Sequence, residues 1–256
     1  MVTVKGVTFG EGRVKLAVPL TARSQEELVK QADQAAHSAA QVVEWRADYY
    51  EDVLLEDKLI ETLTLIRMEL GEKILLFTFR TKEEGGEQEL SLKQYERLCT
   101  VIAESQRVDM IDLELTRVEF LGRGFMQKIK AGHVTTIIST HHFDQTPPDG
   151  QLMFQIGMMN QFGADIGKIA TMPHSLQDVL RIMNIIQRAK GINHLPLAVM
   201  AMGDLGKVTR VGGELIGSVL SFCSLNQASA PGQIPIETMN TFIEAMAIEQ
   251  IEIEGD

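Results

Sequence analysis

At 256 residues, with 45% hydrophobic and 23% charged side chains, the chain can bury a sizeable core and has the composition of a soluble globular protein. A net charge of −11, with 24 Lys and Arg that form no long run, argues against a nucleic-acid surface. Cys99 and Cys223 make no disulfide framework, no apolar stretch has the length of a membrane span, and the N-terminus does not read as a secretory signal, so a cytoplasmic location is expected.

The first residues, 2–12, predict a small hairpin that covers the bottom of the fold. A strand is predicted at 15–21 and a helix at 24–39 behind Ser24 as cap. Strand 42–48 precedes helix 54–70, which stops at Gly71, and strand 73–80 precedes helix 91–105. Strand 110–115 is followed by a helix around 118–131, and strand 135–143 by a helix near 149–162. The sixth strand lies in 164–172, ahead of a helix at 175–191 capped by Ser175. Strand seven is 196–202. A short helical segment and an eighth strand fall within 212–225, and a helix over 236–252 closes the chain. Eight strand-then-helix units in a chain of this length predict an α/β fold, a (β/α)8 TIM barrel with a short N-terminal β-hairpin, as one domain over residues 1–256. The strands are continuous apolar runs, as parallel strands covered on both faces should be. No G-x-G-x-x-G follows the first strand, so an open dinucleotide-binding sheet has no support.

In a barrel, chemistry collects at the C-terminal ends of the strands. Lys168 lies in the sixth strand among Ile166, Ile169 and Ala170, and lysine is rarely buried unless paired. Glu44 and Arg46 are two apart in their strand and share a side, as do Asp112 and Glu114. Arg80 ends strand three, and Glu84 follows in a loop that Gly85 and Gly86 make adaptable. His141 and His142 end strand five, pointing to opposite sides, so at most one reaches the centre. Arg210 falls in the loop after strand seven, and Ser229 and Gln233 in the loop after strand eight. Each has a plainer reading: charges at strand ends are often solvated, and Asp112 or Glu114 could simply build a salt bridge inside the barrel. No H-E-x-x-H or C-x-x-C spacing accompanies the histidines, so no metal or other cofactor is expected.

These residue types suit one chemistry. A desolvated lysine can form an imine with a ketone, which acidifies the neighbouring C–H. His141 on the adjacent strand has the pKa range to take that proton and return one to a leaving group. Glu84 could fix the imidazole's orientation. Arg210 with Ser229 and Gln233 suits a carboxylate, and Glu44, Arg46 and Arg80 suit hydroxyls. The pattern points to proton abstraction on a small hydroxylated keto acid.

The motifs EWRAD (44–48), LLFTFRTKEEGGEQ (75–88), MIDLEL (110–115), STHHFDQTP (139–147), ADIGKIATMP (164–173) and QASAPGQI (227–234) resemble, in order, those of the type I 3-dehydroquinate dehydratases of the shikimate pathway. The resemblance runs through nearly the whole chain. It implies a cofactor-free syn dehydration of 3-dehydroquinate to 3-dehydroshikimate, with Lys168 as Schiff-base residue, His141 as general acid/base and Glu84 as its orienting acid. It also implies that Arg210 clamps the substrate carboxylate, that Ser229 and Gln233 lie on a loop closing over the substrate, that Glu44, Arg46 and Arg80 hold ring hydroxyls, and that the protein is a homodimer. Three positions depart from the family's pattern: His142 where aspartate is usual, Gly167 where proline is usual, and Thr209 where serine is usual. The Gly167 change is expected to loosen the backbone beside Lys168. A class I aldolase, using the glycines of 203–213 to grip a phosphate, and a non-catalytic binding barrel are the alternatives.

Overall fold

A computed structural model describes residues 1–191, 194–226 and 228–247. Strands β1 (Val2–Val4) and β2 (Val7–Phe9) pair as the expected antiparallel hairpin. The barrel strands are β3 (Lys15–Leu20), β4 (Val42–Arg46), β5 (Ile74–Thr78), β6 (Met110–Glu114), β7 (Thr135–His142), β8 (Ile166–Thr171), β9 (Leu197–Ala201) and β10 (Leu220–Phe222). From β3 to β9 each pairs in parallel with the next, and β10 pairs in parallel with β3. The remaining seam between β9 and β10 is joined by Val219 N–H donating to the Leu197 carbonyl at 2.9 Å. The eight-stranded parallel sheet with helices between its strands is the barrel that the alternating pattern predicts.

The helices are α1 (Gln25–Ala36), α2 (Glu56–Leu70), α3 (Leu92–Glu104), α4 (Leu115–Ala131), α5 (Asp149–Gln161), α6 (Leu176–Lys190), α7 (Gly203–Val211), α8 (Gly213–Ile216) and α9 (Ile236–Ala245). The serine caps are where the sequence puts them: Ser24 Oγ accepts from Glu27 N–H, and Ser175 Oγ from Asp178 N–H, with Asp178 completing a capping box. Two segments differ from expectation. Residues 203–211 are a helix, not a loop, so Arg210 sits on α7. Its glycines hid the helical spacing of Leu205, Val208 and Val211, while Thr209 Oγ1 bonds back to the Gly206 carbonyl at 2.7 Å. Helix α4 starts directly after β6 and breaks at Gly122, whose φ of 75° only glycine adopts freely. The part of the last predicted helix beyond residue 247 lies outside the described residues. Among those residues no helix is long and apolar enough to cross a membrane.

Strand periodicity sorts the side chains into two sets. Outward residues such as Val43, Trp45, Phe77, Ile111, Ile138 and Ile169 pack against the helices. Inward residues at the strands' N-terminal ends form a second cluster: Ala17, Val42, Ile74, Met110, Ile137 and Ile166, joined from below by Val4 and Phe9 of the hairpin. The hairpin is thus a plug that keeps water out of the barrel floor, and Phe9 is fully buried. Phe9→Ala should cost about 3–4 kcal/mol in urea unfolding while leaving kcat unchanged, because the ring fills the end opposite the polar one.

Candidate active site

Above that apolar floor, the inward positions become charged. Glu44, Arg46, Asp112, Glu114 and Lys168 lie on strands and are buried, as are Arg80 and Glu84 just beyond β5. Nine of the residues singled out in the sequence (Glu44, Arg46, Arg80, Glu84, His141, Lys168, Arg210, Ser229 and Gln233) line one cavity. Alternation along β7 turns His141 inward and His142 outward, where His142 Nε2 meets Gln155 Oε1 of α5 at 3.1 Å.

Lys168 is 4% exposed. Its Nζ donates to Asp112 Oδ2 at 3.0 Å, stands 3.6 Å from Glu44 Oε1, and lies 4.0 Å above the Phe222 ring centroid. Asp112 is held from two further directions: Arg80 Nη2 donates to Oδ1 at 2.7 Å, and Ser139 Oγ to the same oxygen at 2.6 Å. Burial alone would raise the Asp112 pKa, but Arg80 and then Lys168 override it and hold this carboxyl well below the usual range.

The same guanidinium reaches the second half of the site. Arg80 Nη1 donates to Glu114 Oε1 at 3.1 Å and approaches Glu84 Oε2 at 3.4 Å. Glu84 Oε2 also lies 2.9 Å from His141 Nδ1, and Thr116 Oγ1 donates to Glu84 Oε1 at 3.2 Å. Burial pushes Glu84 up to about 8 against the pull of Arg80, with Glu114 and Asp112 adding repulsion. Burial likewise lowers His141 well below the usual histidine range, and Arg80 and Lys168 lower it further. The two shifts agree in direction: burial disfavours a charge on either group. Nδ1 is the ring nitrogen committed to Glu84.

The segment carrying Arg80 and Glu84 is tied down by close packing. Asp48 accepts Arg46 Nε and Nη2 at 2.8 Å each, and also the Arg80 and Glu87 N–H groups at 3.3 and 3.1 Å. A Cβ at Gly86 would stand 1.9 Å from the Arg80 carbonyl oxygen, and one at Gly85 would meet the Phe143 ring at 2.4 Å. The glycines therefore serve close approach more than freedom. Gly167 is similar: it sits in both neighbouring ladders, its N–H donates to the Pro196 carbonyl at 2.9 Å, and a Cβ would strike Leu197 at 2.8 Å. The expected loosening is absent, since this strand uses an N–H that proline lacks. Thr209 keeps a working hydroxyl: its Oγ1 accepts Ala201 N–H at 3.0 Å, pinning α7 to the end of β9 one residue before Arg210.

Arg210 is 2% exposed. Nη1 donates to the Phe222 carbonyl at 3.1 Å and Nη2 to the Pro231 carbonyl at 3.3 Å, while Nε has no partner. Among the described residues no carboxylate pairs with it, and burial lowers it to about 10. The glycine-bearing start of α7 is already occupied, because Gly203 N–H donates to the Pro231 carbonyl at 3.2 Å. One N–H that a phosphate grip there would use is thus taken. Ser229 N–H and Gln233 Oε1 close their own loop at 2.8 Å.

Sequence reasoning left several wall residues unassigned. Asp112 and Glu114 were visible as a same-side pair, without a signal for which cation each meets. Met200, Met202, Phe143 and Phe222 line the cavity but read as ordinary apolar positions.

A sequence model of the type I 3-dehydroquinase family matches residues 16–250. The chain belongs to this family. It is 36% identical over 250 residues to the 3-dehydroquinate dehydratase of Lactiplantibacillus plantarum, covering 96% of this chain and 98% of that protein. Among solved structures, 3-dehydroquinate dehydratase from Geobacillus kaustophilus superposes with a TM-score of 0.92 at 31% identity over 95% of both chains. The type I enzyme from Clostridium difficile, solved with covalent modified comenic acid, gives 0.91 at 33% identity over 95% of this chain and 96% of that one. As a type I 3-dehydroquinase, the chain is an enzyme of this barrel architecture.

The raised pKa of Glu84 has a consequence for stability. Its folded pKa, about 8, exceeds the ordinary 4.5, so ionising it in the fold costs stability from about pH 4.5 upward, with the full cost present above pH 8. Glu84→Gln removes that cost. The variant should gain on the order of 1–3 kcal/mol over the parent at pH 8 in urea titrations and almost nothing at pH 4.

Proposed function

We propose that the protein dehydrates 3-dehydroquinate to 3-dehydroshikimate through a Schiff base on Lys168. The observation that carries this reading is a buried lysine opening into the same cavity as a His141–Glu84 pair and an arginine without a carboxylate. Family membership and relatives bearing the dehydratase name support it.

Lys168 lends a proton to attack the ring ketone as the free amine and regains it as water leaves, giving the protonated imine. In the form that reacts, Glu84 has lost its proton and accepts from Nδ1–H, so His141 Nε2 carries a lone pair and takes a proton from the adjacent ring carbon, and the electron pair of that C–H bond moves into the protonated imine to form an enamine. The enamine expels the tertiary hydroxyl, which leaves as water with the proton that His141 returns. Hydrolysis consumes one water and frees the product, so the net change is loss of one water. Glu84 holds the imidazole and shares its proton, which keeps His141 in reach of both roles. Arg210 offers the substrate carboxylate a counter-charge at low solvent exposure, where such a pair is strong. Ser229 and Gln233 cover that end, and Glu44 and Arg46 face the hydroxyl-bearing ring. Arg80 lies in the same wall but spends its donors on carboxylates, so its contribution is to fix Asp112 and Glu84. A cytoplasmic homodimer belongs to the same reading.

Borohydride added during turnover should leave a mass adduct on the peptide containing Lys168. An active enzyme with no adduct there would overturn the mechanism. His141→Ala should still trap the imine yet turn over about 1,000-fold more slowly, and near-normal turnover would remove His141 from the acid/base role. Arg210→Ala should raise KM by about 10- to 100-fold with a smaller change in kcat, measured with 3-dehydroquinate.

A further inference from the structure

Asp112 is the charged wall residue for which the reaction above has no use. It is 1% exposed and comes from β6, two strands away from Lys168 on β8. The intervening strand supplies Ser139, in register with both Glu114 and Lys168, so Asp112 and Lys168 meet across a single serine. Arg80 and Ser139 grip one carboxylate oxygen, and the other is left for Nζ at 3.0 Å. A purely structural ion pair would need no such division of labour.

We propose that Asp112 is the counter-ion of the Lys168 imine and keeps that imine protonated. The inference rests on the Schiff-base reading above. Only a protonated imine is a strong electron sink, and burial disfavours that cation. Counted from the ammonium form, whose proton is lent away for the attack and returned as water leaves, imine formation conserves charge on Nζ: the ketone oxygen leaves as water with two of the three ammonium protons, and the third stays on nitrogen. The remaining N–H then points at a carboxylate already in place, so little reorganisation is needed. When the adjacent carbon loses its proton to His141, Nζ becomes the neutral enamine nitrogen and the positive charge moves to the imidazole.

The other charged groups around Nζ do not replace Asp112. Glu44 on β4 stands farther away, at 3.6 Å, and is engaged by Thr78 Oγ1 at 2.9 Å. Glu84 is turned to His141 on β7, whose Nδ1 lies 2.9 Å from its Oε2, and burial raises its pKa. Arg80, Arg46 and Arg210 are cations and oppose a charge on nitrogen. Phe222 on β10 contributes its ring face, which favours a cation without holding its proton.

The test begins with borohydride and the wild-type enzyme; if no Lys168 adduct forms, the Schiff-base reading fails and the counter-ion goes with it. With the adduct established, the Raman C=N stretch of the wild-type imine with 3-dehydroshikimate is recorded at pH 9 in H2O and D2O. A band that shifts in D2O carries an N–H and is expected; an unshifted band overturns the counter-ion while leaving the imine intact. Folded Asp112→Asn, verified by circular dichroism, should lose about 100-fold in kcat with KM changed only a few-fold. The alkaline limb of its kcat–pH profile should move about two units toward acid, because the imine nitrogen now gives up its proton sooner. A variant with kcat within threefold of the parent and an unmoved limb overturns the proposal, and so does a slower variant whose limb stays in place, since a merely structural role for Asp112 predicts that pattern. If Asp112→Asn does not fold, the D2O measurement decides.

Discussion

The burial of one guanidinium organises the polar end of this barrel. Removing the Arg80 charge from water costs several kcal/mol unless acids surround it, and Asp112 and Glu114 of β6 and Glu84 of the turn after β5 do so. Once Arg80 is placed, the other groups are fixed by contact. Asp112 is held on one side of it and presents its second oxygen to Lys168. Glu84 is held on the other side and presents an oxygen to His141. The lysine and the histidine therefore share a common anchor, although neither touches it directly.

A single arginine does not neutralise three buried carboxyls equally. Asp112, at 2.7 Å, also has Lys168 and Ser139, and stays ionised. Glu84, at 3.4 Å, has the weaker hold and the repulsion of both other acids, so it keeps its proton to about pH 8. Environments that push like groups apart in this way assign them different tasks. An ionised carboxylate belongs beside a nitrogen that carries positive charge. A carboxyl that can gain and lose a proton near neutral pH suits the place beside an imidazole. Glu114 serves neither: it accepts Thr81 N–H and Oγ1 at 2.8 Å each, and so holds the end of β5 from which Arg80 extends.

Much of this is legible in the sequence alone. Apolar runs at regular intervals mark the strands, and spacing by two places Glu44 with Arg46 and sets His141 apart from His142. Lys168 is conspicuous because its neighbours are apolar. The illegible part is set by three-dimensional stagger. Nothing in 110–115 says that Asp112 faces the lysine of β8 while Glu114 faces the backbone beyond β5, since that depends on the register of β6 and β7. Arg210 is recognisable as a residue but is expected on a loop, because three glycines in 203–212 mask a helix. One of them, Gly206, is there to let α7 lie against the Ala201 carbonyl, 2.2 Å from where a Cβ would be. Gly167 misleads in the opposite direction: it suggests looseness, and it is instead paired in both neighbouring ladders with the Leu197 side chain close against it.

The alternation along β8 joins these threads. Its inward residues are Ile166, Lys168 and Ala170 in ascending order. Ile166 belongs to the dry floor that Phe9 and Val4 seal from below. Because water cannot reach Lys168 from beneath, its charge is governed by Asp112, Glu44 and the cavity above, in a medium where each contact is stronger than in solvent. Ala170 is small, and it lines the cavity where a larger residue would fill it. Apolar floor, charged lysine and open cavity are thus successive inward positions of one strand. The N-terminal hairpin bears on the surroundings of Lys168 without touching it, by sealing the lowest of those three layers.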